Sequence, residues 1–132
     1  MKGFIPKFYR DGSADAWVYP AGAAATYHIG EALKLTSGKV GACTGNDTPD
    51  YICMAEIVIA TAGDPVPCIP VSESTEYEVE LAAAVSGLAA GSVVAISSDS
   101  MSLAAVSSGT GGVKVVSTTG AAKGDKAVVK FK

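Results

Sequence analysis

Residues 51–71, YICMAEIVIATAGDPVPCIPV, constrain the fold of this chain more than any other stretch. Over residues 51–60, apolar side chains fill both parities of an extended strand: Tyr51, Cys53, Ala55, Ile57 and Ile59 on one side, Ile52, Met54, Val58 and Ala60 on the other. A strand with that pattern is covered on both faces, and only Glu56 interrupts it. A helix is the rival reading, but Ile, Val, Tyr and Cys suit a pleated surface, and Gly63-Asp64-Pro65 stops the run. The pattern predicts a central strand, a tight reversal and a return strand. Pro65, Pro67 and Pro70 remove ladder donors from the return strand, which places it at a sheet edge, at a rim or against another chain.

Short strands and turns recur on both sides of this stretch. Residues 27–35 carry Tyr27, Ile29, Leu33 and Leu35 at odd positions, with Gly30 as a bend between the halves. Ser37-Gly38 reverses the chain, and residues 45–50 form a dense loop signal. Residues 76–81 alternate: Tyr77, Val79 and Leu81 inward, Glu76, Glu78 and Glu80 outward as a solvated acidic face that includes Glu73. Residues 82–91 read as one helical turn or a broad loop, since Gly87 and Gly91 oppose a long helix. Strands then fall at 92–96, 101–106, 113–117 and 126–131, a meander closing into a small barrel or sandwich. The predicted fold class is all-β, a small β-barrel or sandwich of short antiparallel strands.

Residues 1–25 have a different texture. Phe4, Phe8, Tyr9, Trp17 and Tyr19 sit there with Lys2, Lys7 and Arg10, without a sustained period of 2 or 3.6. Large rings in an irregular segment suggest an arm that orders against its own barrel or a neighbouring molecule. The chain is thus divided into an N-terminal extended arm, 1–25, and a β-barrel-like domain, 26–132. Those eight aromatic and basic residues are the candidate partner-binding anchors.

Several chemistries find little footing. His28 is the one histidine and stands by no nucleophile signature, so it reads as structural or exposed. Cys43, Cys53 and Cys68 lack the spacing of a zinc site and read as buried small hydrophobes. Gly109-Thr110-Gly111-Gly112 lacks the lysine of a phosphate cradle and reads as a hairpin loop. Asp125-Lys126-Ala127 matches the tripeptide of lipoyl domains, but only five residues follow it. The expectation is no enzyme, no catalytic residue, no cofactor and no metal. A net charge of -3 gives no general attraction to nucleic acid or anionic lipid, and no apolar run is long enough to span a membrane. Neither partner is expected.

Residues 27–35, YHIGEALKL, then Gly38-Lys39-Val40, then residues 51–55, YICMA, and at the close residues 112–116, GVKVV, and 123–131, KGDKAVVKF, resemble the head decoration, or cement, proteins of tailed bacteriophages. The resemblance covers residues 26–132 as a pattern of short strands. It implies a β-barrel-like virion protein on the outer capsid face, a homotrimer bound to the major capsid protein and made in the host bacterial cytoplasm. Another phage structural protein (head fibre, tail or baseplate component) and a glycan-binding β-module using Trp17 are the alternatives.

Overall fold

The computed structural model describes residues 3–9, 17–72, 75–106 and 112–131, and only the backbone of 6–9, 17–19, 105 and 106. All regular structure among them is strand: β1 (Ile5–Tyr9), β2 (Trp17–Pro20), β3 (Ala25–Tyr27), β4 (Ala32–Thr36), β5 (Lys39–Ala42), β6 (Tyr51–Cys53), β7 (Ile57–Ile59), β8 (Pro65–Pro70), β9 (Thr75–Leu81), β10 (Val93–Ile96), β11 (Ser102–Val106), β12 (Val113–Thr118) and β13 (Lys126–Phe131). The fold is all-β, as the patterning predicts.

The C-terminal strands close on themselves. β9, β11, β10, β12 and β13 pair in that order, and β13 returns to β9. Closure leaves no open edge within the ring. One edge of β9 is shared: β1 pairs with residues 75–78 and β11 with Glu80 and Leu81. β13 takes the other edge through Tyr77, Glu78, Val79 and Glu80. Inward residues alternate along each strand and meet in one core of Tyr77, Val79, Leu81, Val94, Ile96, Leu103, Val113, Val115, Val129 and Phe131. The ring is not a simple meander, because β9 and β11 run parallel. The 82–92 connection, a broad loop rather than a helical turn, carries the chain past the place β11 will fill.

The second sheet has the order β2-β8-β6-β4-β5 and curls until its two edges meet at one bridge, Ala21 with Val40. β6 lies between two cores. Ile52 packs with the barrel cluster, whereas Tyr51 and Cys53 join Leu33, Val40, Val66 and Cys68 in a second cluster. The expectation of a strand covered on both faces therefore holds for residues 51–53, all buried.

Four expectations need correction. The central strand does not run to residue 60: it ends at Cys53 and resumes as β7 in a separate two-stranded ribbon with β3. Glu56 lies in the break, where its carboxylate accepts the Ile29 N–H at 3.1 Å and pairs with His28 Nδ1 at 2.8 Å. The proline-rich return strand, β8, is not at an edge, since β2 flanks one side and β6 the other. Pro67 is tolerated because it lies just past the end of β6 and acts as an acceptor, taking the Met54 N–H at 3.0 Å. Glu76 is not solvated but 8% exposed, at the register position where β1 lies alongside through Phe8; Glu78 and Glu80 are half-buried, and Glu73 lies outside the described residues.

The fourth correction concerns residues 1–25. β1 and β2 are ladder strands of the two sheets, and the 25/26 boundary falls inside β3. Phe4 is 0% exposed and its ring lies 5.2 Å from Phe131, which in turn lies 5.1 Å from Tyr77. The described part of the leader belongs to the body. Gly3 and Gly30 explain how it fits: both have positive φ, and a Cβ on Gly3 would come within 2.8 Å of the Gly30 Cα. That approach lets the Phe4 N–H reach the Gly30 carbonyl at 2.8 Å.

Candidate contact surface

The expected anchors divide in two. Phe4 is a core ring and is unavailable as a contact residue. Lys2 and Arg10 lie outside the described residues, as do the side chains of Lys7, Phe8, Tyr9, Trp17 and Tyr19. Their backbones show only that β1 and β2 hold Phe8, Tyr9, Trp17 and Tyr19 in register with β9 and β8, while Lys7 falls at a register shift.

A different surface emerges beside β2. The β2–β8 ladder pairs Pro20 with Pro65, continues through the Ala21 N–H to the Asp64 carbonyl, and resumes as β3–β7, where Ala25, Thr26 and Tyr27 face Ile59, Val58 and Ile57. It is one interrupted antiparallel ladder whose other end runs on into the β4–β6 ladder, where the Gly30 N–H donates to the Cys53 carbonyl at 2.8 Å and the Cys53 N–H to the Glu31 carbonyl at 2.9 Å. Tyr27 and Ile59 anchor the ribbon in the second core, with Ile57 half-buried against it. Thr26 and Val58, opposite each other, take the other face and are exposed. The His28–Glu56 pair follows in the next register position, between the ribbon and the β4–β6 ladder. Hydrogen bonds from His28 and the Ile29 backbone hold the Glu56 carboxyl below its usual range.

The exposed face of this ribbon is neutral. Residues 20–26, PAGAAAT, and 57–63, IVIATAG, contain no ionisable side chain, although 17% of the chain is charged. Ala23, Ala24, Ala60 and Ala62 are exposed, and Val58 is 75% exposed, the larger of the two exposed large hydrophobics among the described residues. Depletion of charge is also the compositional trait of the buried centre of protein interfaces.

The ribbon also forms one lip of an open cleft of about 400 Å³, whose wall includes Ala23, Ala25, Tyr27, Glu31, Asp99 and Ser100. Asp99 holds its turn rigid by accepting from Ser97 Oγ at 2.5 Å, the Met101 N–H at 2.9 Å and Ser102 Oγ at 3.0 Å. Glu31 is 6% exposed. Burial pushes its carboxyl up to about 6; the His28 backbone and ring oppose that rise, while Glu56 and Asp99 add to it. A cleft with a neutral lip and an acidic wall can seat a small side chain of a partner beside the ribbon.

The sequence showed the residues of this face but misassigned them to a covered strand and an arm. Their shared lack of charge was the signal that could have joined them. His28 lies half-exposed beside the ribbon, and Cys43, Cys53 and Cys68 are buried, as their surroundings in sequence suggest. Among the described residues, no three His, Cys, Asp or Glu side chains gather as a metal-binding group. No protein-family model matches the chain, and a search of curated proteins finds no match.

Proposed function

We propose that this chain is a structural virion protein that binds the outer face of an assembled phage capsid and stabilises it, acting as a trimer through the β3–β7 ribbon. The observation that carries the reading is the uncharged ribbon face with Val58 at its centre. A cement protein works by bridging subunits, so it needs a rigid body and an apolar face kept out of its own core. The closed ring and the exposed ribbon face supply both, and the resemblance of residues 26–132 to head decoration proteins points the same way. Many weak copies repeated over a shell lock it collectively.

The test mixes purified full-length protein with undecorated, expanded phage heads. Saturable, symmetric occupancy by electron microscopy and a higher temperature of capsid rupture are expected, with a trimeric native mass. Val58→Glu should abolish occupancy while leaving the circular dichroism of the fold intact. A monomer that decorates no shell would remove the proposal, and density at the tail or baseplate would favour another structural role.

A further inference from the structure

Cys53 on β6 and Cys68 on β8 are register partners. The Met54 N–H donates to the Pro67 carbonyl at 3.0 Å, whereas the Cys53 N–H and carbonyl face away from β8, to the Glu31 carbonyl at 2.9 Å and the Gly30 N–H at 2.8 Å. The two cysteines therefore form a non-hydrogen-bonded pair of the antiparallel ladder, where opposed Cα atoms approach to about 4.5 Å. Disulfides bridge Cα atoms roughly 4.4–6.8 Å apart. Opposed residues share one face of a sheet, and both cysteines enter the same core with no exposed surface.

We propose that Cys53 and Cys68 are a latent disulfide, closing into a cross-strand bond that staples β6 to β8 when the protein meets a small-molecule disulfide such as oxidised glutathione. One cysteine thiolate attacks the oxidant, breaking its S–S bond and releasing one glutathione thiolate. The second cysteine attacks the mixed disulfide, forming the Sγ–Sγ bond and releasing the other. Two protons leave the cysteines, and the two electrons end on the two glutathione sulfurs. The new bond replaces the hydrogen bond that Cys53 Sγ donates to the Ala55 carbonyl at 3.2 Å.

Access governs the rate. Burial raises the Cys53 thiol and pushes Cys68 up to about 12, so the closed fold holds little thiolate and exchange proceeds through opening of the sheet. Such a pair stays reduced among the thiols of a cell interior and closes on longer exposure outside it. Cys43 belongs to the barrel core, with its Sγ 3.6 Å from the Asp47 carbonyl, and serves as the internal control. The inference stands independently of the capsid reading.

Full-length protein, unfolded in urea and refolded with oxidised glutathione at mildly alkaline pH, gives the decisive sample. Expected are the loss of two of the three thiols and a mass lower by two hydrogens. Peptide mapping should link Cys53 to Cys68 with Cys43 free, and Tm should rise by roughly 5–10 °C over the reduced form. Dithiothreitol should reverse the rise, Cys43→Ala should keep it, and Cys53→Ala or Cys68→Ala should lose it. Three free thiols, a glutathione adduct on one cysteine, a bond through Cys43, or a bond that lowers Tm would each overturn the proposal. If an alanine variant does not fold, the peptide map of the unaltered chain decides.

Discussion

The C-terminal ring and the sheet that leans on it are both built from short strands, yet they dispose of their edges differently. In the ring β13 returns to β9, and the free part of the β9 edge is taken by β1. In the second sheet the edges touch at one bridge, and a two-stranded ribbon runs between the β2–β8 ladder and the β4–β6 ladder. Closure turns one face of every ring strand into a shared core. Incomplete closure leaves Val58 and a run of alanines facing solvent, which is where a partner can be held.

The largest predicted effect tests whether the N-terminal residues complete the ring. Phe4→Ala removes a fully buried ring packed on Phe131 and should lower stability by about 3–5 kcal/mol, comparable to Phe131→Ala, in urea denaturation. A loss below about 1 kcal/mol would mean that the ring is complete without this segment.

The seam between the regions comes next. Gly30→Ala places a Cβ 3.0 Å from the Gly3 Cα at a φ of +86°, while Gly45→Ala, at +69°, meets open space. The first should cost about 2–3 kcal/mol and the second about 1 kcal/mol. Equal losses would show that backbone conformation alone matters, and that the close approach of Gly3 and Gly30 adds nothing.

Glu31 distinguishes the regions by pH. Its folded carboxyl titrates near 6 against an ordinary value of 4.5, because burial favours the protonated form. The contribution to stability is therefore fully present below about pH 4.5 and is lost as pH rises through about 6. Between those limits and neutrality the protein should lose roughly 1–2 kcal/mol, after allowance for residual solvent screening. Glu31→Gln should flatten that part of the curve, measured as urea midpoints across the pH series. An unchanged slope would place the titration elsewhere.

The ring was largely legible in the sequence because alternation at Tyr77, Val79 and Leu81, and Gly-rich spacing after it, are local signals. The second sheet was less so. Three paired residues suffice for β6, but a run that is apolar in both parities cannot say where a strand stops, and the pairing of Glu56 with His28, distant in sequence, falls in the break that the run conceals. Proline at β8 was read as an edge signal, yet β6 is too short to demand the missing donor. The leader misled for the opposite reason: it lacks periodicity, but a single ring at Phe4 finds a place only once Phe131, at the other end of the chain, has been brought beside it. A shared lack of charge is all that connects residues 20–26 with 57–63 in a linear reading, and the neutral face took shape only when the ladder placed them together.

The smallest effect is also the sharpest contrast. Val and Thr have nearly the same shape, so the exchange isolates the cost of placing a hydroxyl at a site. At Val79, 2% exposed in the ring, Val79→Thr should cost about 1–3 kcal/mol, since the buried hydroxyl loses water. At Val58, 75% exposed on the ribbon, Val58→Thr should change stability by less than about 0.5 kcal/mol, and the β-branched side chain keeps its preference for a strand. If Val58→Thr nonetheless shifts the native mass or weakens shell binding, the ribbon face is spent on contact and not on folding. A stability loss at Val58 matching that at Val79 would instead place the ribbon inside the folded core, and the distinction between closed ring and open sheet would fail.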